Sequence, residues 1–150
     1  MRVLYAVPPV LVVVAYLIWQ HFAAQVHVGE LPPFDLQLYA HDDARTYLAG
    51  LGDAARAVYL GPLQWADLGL MLALTVTLIL PLGRWFWAVP ALLYLGFDLL
   101  ENATVGQFLT RGISEVGEVA MLSLFTGAKF AALAVAAVLA AWGVWRRWRV

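Results

Sequence analysis

The chain has 150 residues, of which 63% are hydrophobic and 13% charged, and a formal net charge of −1; its mean hydropathy is +0.79. That balance exceeds what a water-soluble fold of this size carries and leaves room for one domain whose natural solvent is a lipid bilayer. With no cysteine, disulfides, thiolate catalysis and cysteine metal sites are excluded. So small a net charge says little about partners, and no nucleic acid is expected among them.

The first apolar run, about 3–20, follows Arg2 and ends in Trp19, Gln20 and His21, long enough to span with an interfacial aromatic at its end. Ala23 and Ala24 supply the small residues of a cleavable signal peptide, but the apolar stretch is longer than the usual signal core of about 7–15 residues. Pro8 and Pro9 are expected to kink or delay this helix, because proline lacks the amide hydrogen and clashes with the preceding turn.

From about 21 to 61 the chain is polar enough to leave the hydrocarbon, with Glu30, Asp35, Asp42, Asp43 and Asp53 set among Leu, Tyr and Ala. Leu31-Pro32-Pro33 predicts an extended stretch. Asp42 or Asp43 is expected to cap a helix through Leu51, and Asp53 to Leu60 to form a second short helix. Tyr47, Leu51, Ala55 and Val58 fall on one face, so the segment reads as short amphipathic helices resting on the membrane surface or on the spans.

A second span is predicted over about 62–81, started by Gly61-Pro62 and stopped by Pro81-Leu82-Gly83. Arg84 opens a tight turn, Trp85, Phe86 and Trp87 form an aromatic belt, and a third span covers about 86–109. Ser114, with Glu115 and Glu118 behind it, is positioned to cap a fourth span over about 118–142. The tail Arg146-Arg147-Trp148-Arg149 reads as a basic interfacial anchor. The fold class expected is therefore an all-α membrane protein, a bundle of four transmembrane helices with a short amphipathic helical segment between the first and second.

The arginines orient it. Four crossings put Arg2, Arg84, Arg146, Arg147 and Arg149 on one side with no acid, and seven acids against Arg45, Arg56 and Arg111 on the other. Excess arginine marks the cytoplasmic side, so both termini are expected there.

Four ionisable residues fall inside the predicted spans: Asp67 in the second, Asp98 and Glu101 in the third, and Lys129 in the fourth. Each costs about 2.5 kcal/mol or more to hold mid-span without a partner. At about 1.5 Å per residue, Asp98 lies about 16 Å and Glu101 about 12 Å below the outer end of the third helix, and Lys129 about 15 Å down the fourth. Neighbouring antiparallel helices would bring Lys129 to either acid. Asp98, Glu101 and Asn102 share one face, as do Ser123, Thr126 and Lys129 on the next helix. Asp67 enters from the outer end, about 7 Å in, and three acids against one lysine call for a protonated carboxyl, a bound cation, or Arg56 or Arg45.

The other features are weaker. Asn102-Ala103-Thr104 fits a glycosylation acceptor inside a span, where it is a coincidence. Alanines 128, 132, 136 and 140 form a small-residue stripe suited to close helix approach, either within the chain or with another subunit. His21, His27 and His41 are the only imidazoles and show no metal-ligand spacing, so neither metal nor cofactor is expected.

Strung together, Tyr47-Leu48-Ala49-Gly50-Leu51-Gly52, Arg56 and Tyr59, Trp65-Ala66-Asp67, Phe97-Asp98-Leu99-Leu100-Glu101-Asn102, and Thr126 with Lys129 resemble a group of uncharacterised four-span bacterial inner-membrane proteins. The resemblance covers roughly residues 40 to 135 and rests on a D-x-x-E-N motif in the third helix followed by a lysine in the fourth. The group commonly has glycine before the arginine, where this chain has Ala55. The resemblance implies the bacterial inner membrane and no particular activity. The expected role is accessory or structural, with a conformational cluster of Asp67, Asp98, Glu101, Asn102, Lys129 and Arg56 in the outer leaflet and the bilayer, a partner membrane subunit or a second copy as contacts. The alternatives are binding or transport of a cation, proton or lipid headgroup at that cluster, or a lipid-modifying membrane enzyme.

Overall fold

The structure, a computed structural model, describes residues 7–149. It is built from helices: α1 (Val7–Ala23), α2 (His41–Gly50), α3 (Asp53–Val58), α4 (Gln64–Ile79), α5 (Val89–Arg111) and α6 (Val116–Trp148), with short 3-10 turns at Ala24–Val26, Phe34–Leu36 and Trp85–Ala88. Among the described residues the one piece of β pairing is a bridge between Val28 and Leu31. Three helical segments are long and apolar enough to cross a membrane: Val7–Val26, Asp53–Ile79 and Val116–Arg147. The long helices alternate in direction, since Ile18 and Phe22 of α1 lie beside Pro62 and Trp65 while Pro8 and Pro9 lie beside Leu80. Asn102 of α5 meets Asp67 of α4, and Lys129 of α6 meets Asp98 of α5.

The second long helix does not start where the sequence places its start. Gly61-Pro62 lies inside a π-helical turn, Tyr59–Leu63, which joins α3 to α4 without a break. A proline clashes with the carbonyl four residues back and cannot donate to it; the wider π turn accommodates both defects and keeps the helix running. Asp42 and Asp43 do not cap α2 either. Ala40 is its N-cap and the two acids occupy the first turn, where they favour the positive end of the helix dipole without a capping bond. Glu115 rather than Ser114 caps α6, in a capping box with Glu118. The helix then runs to Trp148, beyond the predicted 142. Pro8 and Pro9 fall in the first described turn of α1.

The packing faces follow heptad-like lines. On α5 the buried residues Ala91, Tyr94, Asp98, Glu101, Val105 and Phe108 fall alternately three and four apart, with Leu109 buried beside the last, while Leu92, Leu93, Leu99 and Leu100 are exposed. On α6 Val119, Leu122, Thr126, Lys129, Ala136 and Ala140 are buried at the matching spacing. Two stripes of this kind are what adjacent antiparallel helices need to interdigitate. Ala136 and Ala140 of the alanine stripe pack within the chain, against Leu78 and Ala91.

The segment between α1 and α3 covers the acidic end of this assembly. Phe34, Tyr39, Tyr47 and Leu51 from that segment join Val26, Tyr59, Phe108 and Leu122 in the larger of two apolar cores. Two buried hydrogen bonds fasten it: the Tyr47 hydroxyl donates to the Val26 carbonyl (2.6 Å) and the Phe34 amide donates to the Tyr59 hydroxyl (3.0 Å), while His41 Nδ1 is buried without a hydrogen-bond partner. Gly50 permits this closure, because an added Cβ there would fall 2.3 Å from a methyl of Val28.

Candidate functional site

A polar layer lies between the two apolar cores. The larger core, with Val105, Phe108, Val119 and Leu122, sits on one side of it and the smaller, with Leu78, Ala91, Ala136 and Ala140, on the other. Within the layer Lys129 is the hub. Its ammonium is 2.8 Å from Asp98 Oδ1 and also contacts Glu101 Oε2, and the three residues are 5%, 3% and 1% exposed, respectively. The second Glu101 oxygen accepts a hydrogen bond from the Thr126 hydroxyl, which also donates to the Leu122 carbonyl. Asp67 is buried on α4 and accepts from the Asn102 amide at 2.5 Å.

These contacts follow from the helix lines. Asp98 and Glu101 are three apart on the buried face of α5, and Thr126 and Lys129 are three apart on the buried face of α6, so the four meet as a rung. Asn102, one residue round from Glu101, turns toward α4 and carries the network to Asp67. Gln64 donates to the Asn102 carbonyl at 3.5 Å, at the margin of the same contact. Lys129 thus contacts two carboxylates directly and the second Glu101 oxygen is engaged by the Thr126 hydroxyl; direct pairing with hydrogen-bonded oxygens is the arrangement in which burial of charge is tolerated.

The structure thus gathers Asp67, Asp98, Glu101, Asn102 and Lys129, and sets Arg56 elsewhere. Arg56 donates to the carbonyls of Leu109 (2.5 Å) and Leu48 (3.2 Å). Those oxygens belong to the last turns of α5 and α2, where helix carbonyls lack intrahelical donors and a cation complements the dipole. Arg56 therefore ties three helix ends together. Arg45 is exposed on α2, Ser123 donates to the Tyr39 carbonyl in the covering segment, and His21 and His27 are exposed away from the layer.

One neighbour of the charged groups was not legible as such. Tyr94 is buried one turn before Asp98, within electrostatic reach of Asp98, Asp67, Lys129 and Glu101; its four-residue spacing to Asp98 is the available signal. Thr75, on the buried face of α4, satisfies its hydroxyl on the Met71 carbonyl.

The contacts among the charged groups of the layer are direct. A groove of about 390 Å³ between α4 and α5 is lined by Gln64, Met71, Leu99, Asn102 and Gly106 among others, and none of Asp67, Asp98, Glu101 or Lys129 lines it. Among the described residues no three His, Asp or Glu side chains converge as metal ligands. Compared with known proteins, the chain matches no family model, no curated protein and no solved structure.

Proposed function

We propose that this chain is a four-span protein of the bacterial inner membrane with a structural or accessory role, and that its buried polar layer locks the register of α4, α5 and α6. Lys129 carries this reading: its ammonium bridges two carboxylates by direct contact between apolar cores. A group so enclosed contributes partner choice and register between helices rather than turnover. A ligand-binding reading would need the charged groups to face a cavity, and the adjacent groove reaches Asn102 and Gln64 alone among the polar residues of the layer.

The fourth crossing is α5. Its 23 residues extend about 34 Å, enough for the hydrocarbon core, and its apolar content is diluted by Asp98, Glu101 and Asn102. The two acids are buried against α6 and Asn102 bonds to Asp67 of α4, while the leucines face outward. The helix therefore presents an apolar surface to lipid. The basic end, with Arg84, Arg146, Arg147 and Arg149, belongs in the cytoplasm by the arginine rule. The resemblance of the D-x-x-E-N and lysine pattern to uncharacterised bacterial four-span proteins supports the same assignment.

Because the chain has no native cysteine, its topology is directly measurable. Single substitutions Asp42→Cys and Ser114→Cys are expected to react with a membrane-impermeant maleimide in intact spheroplasts, and Arg84→Cys and Arg149→Cys only after the membrane is opened. Labelling of Arg84→Cys and Ser114→Cys from the same side would mean that α5 does not cross. The structural role has its own test. The charge-preserving pair Lys129→Arg/Asp98→Glu is expected to fold and to complement loss of the chromosomal copy; a folded variant that fails to complement would overturn the structural reading.

A further inference from the structure

The end of the molecule farthest from the acidic segment has the opposite chemistry. The turn between α4 and α5 and the last turns of α6 enclose a cavity of about 660 Å³, walled by Arg84, Arg146 and Arg147 together with Trp87 and Trp142. No aspartate or glutamate is among the described residues that line it. Its volume lies in the range of about 300–1,000 Å³ typical of small-molecule sites.

The cavity is built by packing. The Trp87 and Trp142 rings lie 5.7 Å apart and the Arg146 guanidinium sits 4.9 Å over Trp142, a contact that holds the charge at the wall. The floor depends on Gly143, where an added Cβ would fall 2.8 Å from the Pro81 carbonyl oxygen. Only glycine lets α6 approach the turn backbone this closely. From the mouth an apolar ridge of exposed Trp142, Val138 and Val135, four and three residues apart, runs up the same face of α6.

A cationic, tryptophan-walled cavity at a helix end, continued by an exposed apolar ridge, has two halves that one amphiphile satisfies. We propose that it binds the phosphate-bearing headgroup of an anionic phospholipid. Guanidinium forks from Arg84, Arg146 and Arg147 take the phosphate oxygens, for which their planar donor geometry is suited. The indoles flank the glycerol region at the interface depth they favour, and the acyl chains follow the Val135–Trp142 ridge. The assignment rests on α6 crossing a membrane and is independent of what the Lys129 layer does.

The full-length protein in mild detergent, titrated with phosphatidylglycerol or phosphatidylcholine and observed by native mass spectrometry, tests it. Phosphatidylglycerol is expected to be retained preferentially. Arg84→Gln/Arg146→Gln, both exposed positions, is expected to lower that retention on the order of ten-fold or more, as the loss of two interfacial charges dictates. Arg45→Gln at the opposite end should leave it unchanged. Equal retention of the two lipids, or a folded double variant that keeps its preference, overturns the proposal. Displacement of phosphatidylglycerol by excess inorganic phosphate, with phosphate adducts appearing instead, would assign the cavity to a soluble anion and overturn the lipid assignment. Should the double variant lose helicity, the comparison of the two lipids on the unaltered protein decides.

Discussion

Lys129→Met is expected to destabilise the protein by about 3–5 kcal/mol, because it leaves the buried Asp98 and Glu101 carboxylates side by side on α5 without their cation. Methionine is close to lysine in length and apolar, so packing changes little and the loss reports the uncompensated carboxylates. Thermal unfolding in mild detergent, followed by helicity, measures it. The triple variant Asp98→Asn/Glu101→Gln/Lys129→Met removes the charges together and is expected to recover most of the loss, since replacing a whole buried ion cluster costs far less than breaking it. If the single variant melts where the unaltered protein does, the carboxylates are hydrated and the layer is not the lock.

Phe34→Ala is expected to cost about 3–5 kcal/mol by leaving an aromatic-sized void, and to act on a different part of the molecule. The Phe34 ring is fully buried, with ring centroids 4.8 Å from Tyr39, 4.9 Å from Tyr47 and 6.0 Å from Phe108. It is the plug by which the segment after Pro32-Pro33 attaches to the end of α5. Removing it should loosen the covering segment first, because that segment is held by this core and by single hydrogen bonds such as Tyr47 to Val26. Limited proteolysis or hydrogen exchange is expected to show residues 27–52 becoming accessible while α5 and α6 remain protected. Uniform loss of protection along the chain would show instead that the segment and the helices unfold as one unit.

The two substitutions separate two kinds of information. Asp98, Glu101 and Lys129 stand out in the sequence because each interrupts an apolar run, and their heights on the helices already match. The rung they form in the structure is the one which that arithmetic predicts. Arg56 was one of the candidates to balance the charge of the cluster, yet its partners are carbonyls at the ends of α2 and α5. Backbone acceptors carry no sequence signature, so a cation that serves them looks in the sequence like one seeking a carboxylate. Tyr94 was hidden for the opposite reason: a tyrosine in an apolar run is unremarkable until the helix face it occupies is known.

Local boundaries divide in the same way. The Glu115–Glu118 capping box is a spacing pattern and sits within one residue of the predicted cap. Gly61-Pro62 is also a local pattern, and it misleads, because the rule that proline starts helices takes no account of a long helix whose flanks are held by α1 and α5 and which absorbs the defect as a π turn. Likewise the lowered hydropathy of α5 comes from side chains that the fold turns inward, so composition alone undercounts the apolar surface it presents.

The sequence by itself determined the helical class, the long apolar segments, the segregation of acidic from basic ends and which ionisable residues interrupt the apolar runs, because each depends on composition or on periodicity along one helix. The tertiary structure alone decided that the charged groups of the layer meet by direct contact, that Arg56 fastens helix ends, that Phe34 plugs the acidic end, and that Arg84 shares a cavity with Arg146 and Arg147. These depend on which faces meet across helices far apart in the chain, and pairing across such distances is set by packing rather than by any local pattern.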